Sequence, residues 1–284
     1  MTSVRRRLRD WPAHLILAVG VVIFAFPVYV ALIGSTHDLA TVATGRMGLA
    51  PGPHGLKNYV QAWSTGTGER IRGAPVRHMV RNSAIMALTI AIGKIAISII
   101  SAFAVAFFNF PGRMFFFWMI FVTLMLPVEV RIIPTYKVVS DLGMVDTFAG
   151  LTIPLIASAT ATLIFRQFFL QVPDELVDAA KVDGAGPMRF FWSILLPLSS
   201  TTVAALFVIL FLYGWNQYLW PLLVTTSQGM ETVVIGITKM IGSGEALVDW
   251  PIIMATAIMA MMPPVAVVIL MQRWFVKGLT ETEK

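Results

Sequence analysis

The chain has 284 residues, 57% hydrophobic and only 13% charged, where ordinary soluble proteins carry about 25% charge, so a soluble globular class is excluded. It has no cysteine, which excludes disulfides and thiol redox chemistry, and His14, His37, His54 and His78 fall in no metal-ligand spacing, so they are expected as surface or interfacial residues and not as a zinc site. The net charge of +6 would point to nucleic acid in a soluble protein, but four N-terminal arginines explain much of it, so the expected partner is a lipid bilayer and not nucleic acid.

Arg5, Arg6, Arg7 and Arg9 precede an apolar run over residues 14–33. A secretory hydrophobic region is about 7–15 residues and a span needs about 20, so this run reads as a retained first span with its arginines in the cytoplasm. Residues 34–81 then form a polar outer loop in which Arg46, Lys57, Arg70, Arg72, Arg77 and Arg81 face only Asp38 and Glu69. The charge bias is small, 11 Lys/Arg inside against 9 outside and one within a span, so the N-terminal cluster sets the orientation.

Residues 83–108 are a second span with Lys94 near its middle, and Asn109 to Arg113 make a tight inside turn. A third span, 114–128, ends at Glu129 and Arg131, and residues 129–147 form a polar outer segment with Pro134. The fourth span, 148–165, stops at Arg166. A polar island, 171–200, follows inside. The fifth span, 201–224, carries Trp215, Asn216, Gln217 and Trp220. Residues 225–250, with Gly229, Gly236, Gly242 and Gly244, form an outer segment with a re-entrant or interfacial helix. The sixth span, 251–271, holds Pro263 and Pro264, which should kink it, and Arg273 and Lys277 close it inside. The expectation is one all-α integral membrane domain over residues 1–284, with six spans and both termini cytoplasmic.

No phosphate-cradling glycine loop, dinucleotide fingerprint, nucleophile elbow or H-E-x-x-H occurs, so the chain is expected to hydrolyse nothing itself. An ionisable group near mid-bilayer, such as Lys94, costs about 2.5–3.5 kcal/mol on insertion scales and needs a reason. Two readings stand: positive potential along the route of an anionic solute, or snorkelling and pairing with a carboxylate of a partner chain. Asn216 and Gln217 either line such a route or hydrogen-bond a neighbouring helix. The basic outer loop is a landing surface, a weak concentrator of anions, or plain solvated charge.

The island reads QVPDELVDAAKVDGAGPMRFFWSILLPLSS. Pro173 suits a first helical position, Asp174 and Glu175 lie where the peptide dipole favours negative charge, and Gly184 and Gly186 stop the helix 174–183. Pro187 starts a second helix, which Pro197 ends. The result is a helix, an elbow and a helix, carrying Arg189 on its second arm. Ala179 and Ala180 are small enough for close approach to a partner.

Asp178-Ala179-Ala180, Gly184 and the later Ile194-Leu195-Leu196-Pro197 resemble the EAA signature of permease subunits in binding-protein-dependent ABC importers, with Asp178 one methylene shorter than the usual Glu. The likeness extends through MLPVEVRIIPTYKVVSDLGMVDTFAGLTIP and YGWNQYLWPLLVT, which are similar to the maltose-type carbohydrate permeases. It implies the type I importer permease fold, a bacterial inner-membrane location, and three partners: a second permease subunit, an ATPase dimer and a periplasmic solute-binding protein. It further implies that the chain binds no cofactor, that ATP and Mg belong to the ATPase, and that residues 174–183 are the coupling helix. Asp174, Glu175, Asp178, Ala179, Ala180, Asp183, Gly184 and Arg189 would then form the ATPase contact. The solute implied is glycerol 3-phosphate or a related glycerophosphodiester, with a sugar or oligosaccharide as the alternative. An ion-gradient-driven transporter is the competing class, opposed by the scarcity of embedded carboxylates.

Overall fold

The computed structural model describes residues 2–67, 73–123, 128–241 and 248–280. Glu69, Arg70, Arg72, Gly242 and Gly244 lie outside the described residues, as do the side chains of Arg5, Arg6, Arg7, Arg9, Glu129 and Lys277. Among the described residues every regular element is helical, and the chain divides into two compact units.

The first unit holds residues 1–77 and 236–262. Its α1, Thr2–Gly34, is apolar over Trp11–Gly34 and nearly uncovered within the chain, with Phe24 84% exposed, as suits a helix facing lipid or another subunit. Gly34 admits the Met254 side chain of α15 (Trp250–Thr280), where a Cβ would collide with the sulfur. The outer loop is ordered by helices α2, Leu39–Ala43, and α3, Gly55–Ser64. Buried Asn58 donates its amide to the Ser35 and His37 carbonyls at 2.9 and 2.8 Å, which pins α3 to the end of α1. A polar composition here therefore encodes a hydrogen-bonded cap. Part of α14, Val233–Ile241, also lies in this unit, a short helix in the expected outer segment.

The second unit holds residues 78–235 and 263–284. It is built on α4, Val76–Phe107, which begins seven residues before the expected span at 83 and so carries Arg77 and Arg81 in its first turns. The apolar helix α5, Arg113–Val122, has only ten residues against the expected span 114–128, fewer than the roughly 20 a crossing needs. Residues 129–147, expected as a polar loop, are mostly the helix α6, Val128–Asp141, which carries Pro134 internally. The core joins Met86 and Ile90 of α4 to Ile132 and Val139 of α6 and to Leu151, Trp220 and Val224.

The expected span 148–165 is broken: α7, Phe148–Thr152, runs through a short 3-10 turn to Leu155 and meets α8, Ala159–Phe169, at a 45° bend. Pro154 removes a backbone donor there, and Ser158 restarts the helix by accepting from the Ala161 N–H. Ser98 of α4 donates to the Ser158 carbonyl at 3.1 Å, which ties the restart of the helix to α4. The fifth span is also shorter than 201–224: α12 is Ser200–Trp215, and a separate α13, Leu219–Val224, follows. Pro221 explains the interruption, because a continuous helix would need its missing N–H. In α15 helical structure continues through Pro263 and Pro264 without a break. Among the described residues three helices are long and apolar enough to cross a bilayer, or up to five crossings if each bent pair counts as one.

Candidate functional site

The island between α8 and α12 folds as a helix, a tight elbow and a second helix. The first arm, α9, is Asp174–Val182. Pro173 stands one position earlier than expected, as the N-cap with φ −59° and ψ 137°, outside the helix rather than in its first turn. Asp174 and Glu175 occupy that turn and favour the dipole. The helix closes with a Schellman arrangement: Gly184 has φ +72°, its N–H donates to the Lys181 carbonyl at 3.0 Å, and the Ala185 N–H donates to the Ala180 carbonyl at 2.8 Å.

The second arm begins at α10, Pro187–Phe190, passes through one π turn, Phe191–Leu195, and continues as α11, Leu196–Leu198. Pro197 was expected to end this arm. The wider π turn accommodates the proline, whose missing N–H leaves an α-type bond unmade, and the arm ends at Ser199 with a 70° bend into α12.

An aromatic cluster seats both arms. Phe107 of α4 lies 5.5 Å from Phe190 and 6.0 Å from Phe169 of α8, and Phe103 lies 4.9 Å from Phe191. Val177 and Ala180 of α9 line a cavity over these rings. The two small residues therefore part company: Ala180 is 5% exposed and faces the chain's own phenylalanines, while Ala179 is exposed. Asp174, Glu175, Asp178, Asp183, Gly184 and Arg189 are exposed with it, and so are the apolar Val182, Met188 and Trp192. Asp178 pairs with Lys181 at 2.9 Å with both side chains solvated, worth about 0–1 kcal/mol and easily exchanged for another partner.

Lys94 is buried, and its ammonium sits 3.7 Å from the centre of the Tyr213 ring. It lines a cavity of about 140 Å³ together with Arg131, Thr135, Tyr213 and Gln217, walled by Ile132, Leu155 and Trp220. Trp220 is fixed by donating its indole N–H to the Gly150 carbonyl at 3.1 Å. Gln217 donates to the Tyr213 carbonyl at 3.2 Å, capping the end of α12, so it lies just past a helix end. Asn216 is exposed and is not among the lining residues. Sequence reasoning took Arg131 for the end of a span and passed over Thr135 and Tyr213. The i, i+4 spacing of Arg131 and Thr135 on one helix face was the available signal.

The family of binding-protein-dependent transport system inner membrane components matches residues 94–281. The sn-glycerol-3-phosphate transport system permease protein UgpE of Brucella melitensis is 58% identical over 280 residues, 99% of each chain. That of Agrobacterium fabrum is 59% identical over 272 residues, 96% of each, and that of Yersinia enterocolitica 53% identical over 279, 98% of this chain and 99% of the relative. Among solved structures, a bacterial ABC transporter involved in the import of the acidic polysaccharide alginate has a chain of the same fold, with a TM-score of 0.82 at 18% identity, covering 97% of this chain and 99% of that one. The chain therefore belongs to the binding-protein-dependent transport system inner membrane components, as an inner-membrane permease subunit of the ABC class with the type I fold.

Proposed function

We propose that this chain is a permease for sn-glycerol 3-phosphate or a related glycerophosphodiester, moved inward by ATP that a partner subunit hydrolyses. The observation that carries the solute is the identity of 53–59% over nearly the whole chain to relatives named as sn-glycerol-3-phosphate permeases. The partners are an ATPase dimer holding ATP and Mg, a second permease and a solute-binding protein, while this chain binds no cofactor and performs no hydrolysis.

The geometry supports a coupling role for the island. The exposed face of α9 offers carboxylates at Asp174, Glu175, Asp178 and Asp183 around the apolar Val182, which is 87% exposed, a mixture that fits a protein groove better than water. Behind that face, the phenylalanine cluster ties the loop to α4 and α8, so a displacement of α9 moves those helices instead of dissipating in a flexible linker. Closure of the ATPase dimer around ATP would thereby reorient the crossings.

The test is ATPase stimulation of the reconstituted importer by a panel of solute-loaded binding proteins. Stimulation by the protein loaded with sn-glycerol 3-phosphate is the expected result. Stimulation by a sugar-loaded protein alone would replace the solute, and transport by this chain without any ATPase would overturn the class.

A further inference from the structure

We propose that the cavity between α4, α6 and the α12 to α13 junction is an anion site on this chain, taking the phosphate group of the solute between Lys94 and Arg131, with Thr135, Tyr213 and Gln217 completing it. The proposal rests on the reading of the chain as an organic-phosphate permease. It deepens that reading by naming the residues that meet the charge.

Lys94 carries the argument. It is 7% exposed, and among the described residues no carboxylate lies within ion-pair distance of it. A buried ammonium needs compensation, and the face of Tyr213 at 3.7 Å gives only part of what a counter-charge gives. Arg131, itself exposed, lines the same small space, so two like charges border it. An anion bridging them relieves both the desolvation of one and the repulsion between them.

The dimensions and the lining agree. The volume of about 140 Å³ is several times the roughly 30 Å³ share of one water, room for a phosphoryl group with part of its ester. Gln217 uses an amide N–H on the Tyr213 carbonyl, which leaves its oxygen to accept from a solute hydroxyl. Ile132, Leu155 and Trp220 supply an apolar wall for the carbon chain. The cavity also shares a helix with the coupling machinery: Phe103 lies nine residues after Lys94 on α4, about 13 Å along a rigid helix at 1.5 Å per residue.

The experiment uses the complete importer in proteoliposomes with saturating loaded binding protein, reading uptake of labelled sn-glycerol 3-phosphate per ATP hydrolysed. Loss of a charge-assisted contact predicts that K94Q and R131Q each lower this ratio about tenfold and that K94R restores most of it. A merely structural defect lowers uptake and hydrolysis together, so a ratio near wild type in both variants overturns the site and leaves the permease reading intact. Should K94Q fail to assemble, R131Q decides alone, since that side chain is exposed. Vesicles of phosphatidylcholine with and without phosphatidylglycerol separate solute from lipid. A defect confined to the anionic vesicles marks a headgroup site and overturns the solute assignment. Wild-type complex that takes up no sn-glycerol 3-phosphate overturns the underlying reading as well.

Discussion

The Phe107 and Phe190 rings meet edge to face with their centres 5.5 Å apart, joining the last turn of α4 to the first turn after the Gly184 elbow. Phe190 is 6% exposed, so the contact is a packed joint. Phe190→Ala should destabilise the chain by about 3 kcal/mol, seen as a lower unfolding temperature in detergent, and should lower ATP-driven uptake more than it lowers insertion. Phe190→Leu, which keeps most of the volume, should behave close to wild type in both measurements.

At Gly184 the obstacle to substitution is conformational. The space around an added Cβ is open, with nothing within 4 Å, but φ is +72°. A β-branched residue there costs on the order of 1–3 kcal/mol, whereas Asn tolerates the left-handed region. Coupling, read as uptake per ATP, should therefore fall in the order Gly, Asn, Ala, Val at position 184. An Asn variant as uncoupled as Val would show that side-chain bulk at the elbow matters and backbone angle does not.

Gly214 of α12 lies against α4 so closely that an added Cβ would stand 2.8 Å from the Cα of Ala87. Backbone cannot yield as a side-chain tip can, and overpacking of this kind typically costs about 1–3 kcal/mol. Gly214→Ala should lower the unfolding temperature measurably. Gly20→Ala in α1, where nothing lies within 4 Å, should not.

These joints also mark what the sequence could and could not disclose. Pro173, Gly184, Gly186 and Pro187 punctuate the island locally, and a local signal sufficed to draw two arms and an elbow there. Lys94 was conspicuous because a lone cation in an apolar run has no neighbour along the chain to explain it. Arg131 was not, since an arginine at the edge of an apolar run is what any span end looks like, and its place beside Lys94 depends on tertiary packing of α6. The break after Trp215 is not visible in hydropathy, because it depends on Pro221 and on the cap from Gln217. Ala179 and Ala180 looked equivalent in composition, and only the phenylalanine cluster beneath α9 distinguishes the inward one from the outward one.

Asp146 gives a pH-dependent prediction outside the spans. It sits at φ +61°, and its carboxylate accepts from the Thr226 and Ser227 N–H groups at 2.9 and 3.0 Å, closing the loop after α6 onto the end of α13. Partial burial works against the charge, but the bonds from Ser227 and Thr226 prevail and hold the carboxyl below its ordinary value of 3.8. A depressed folded-state value means the clasp contributes fully above the ordinary carboxylate range and is lost as pH falls through the lower folded value. Hydrogen exchange at the Thr226 and Ser227 amides should accordingly be slow at neutral pH, after correction for intrinsic rates, and lose protection only once pH has fallen below the ordinary carboxylate value of 3.8. Asp146→Asn, which keeps an acceptor and tolerates this φ, should lose that pH dependence while retaining much of the protection.

The central claim is that this permease carries an organic phosphate inward under power from a partner ATPase. Its most direct test is uptake of labelled sn-glycerol 3-phosphate into proteoliposomes containing this chain, its second permease, the ATPase and the binding protein. The account predicts accumulation that requires ATP, the binding protein and an intact Gly184 elbow together. Uptake that persists without ATP or ATPase, or a complete complex that moves other solutes and never this one, would contradict it.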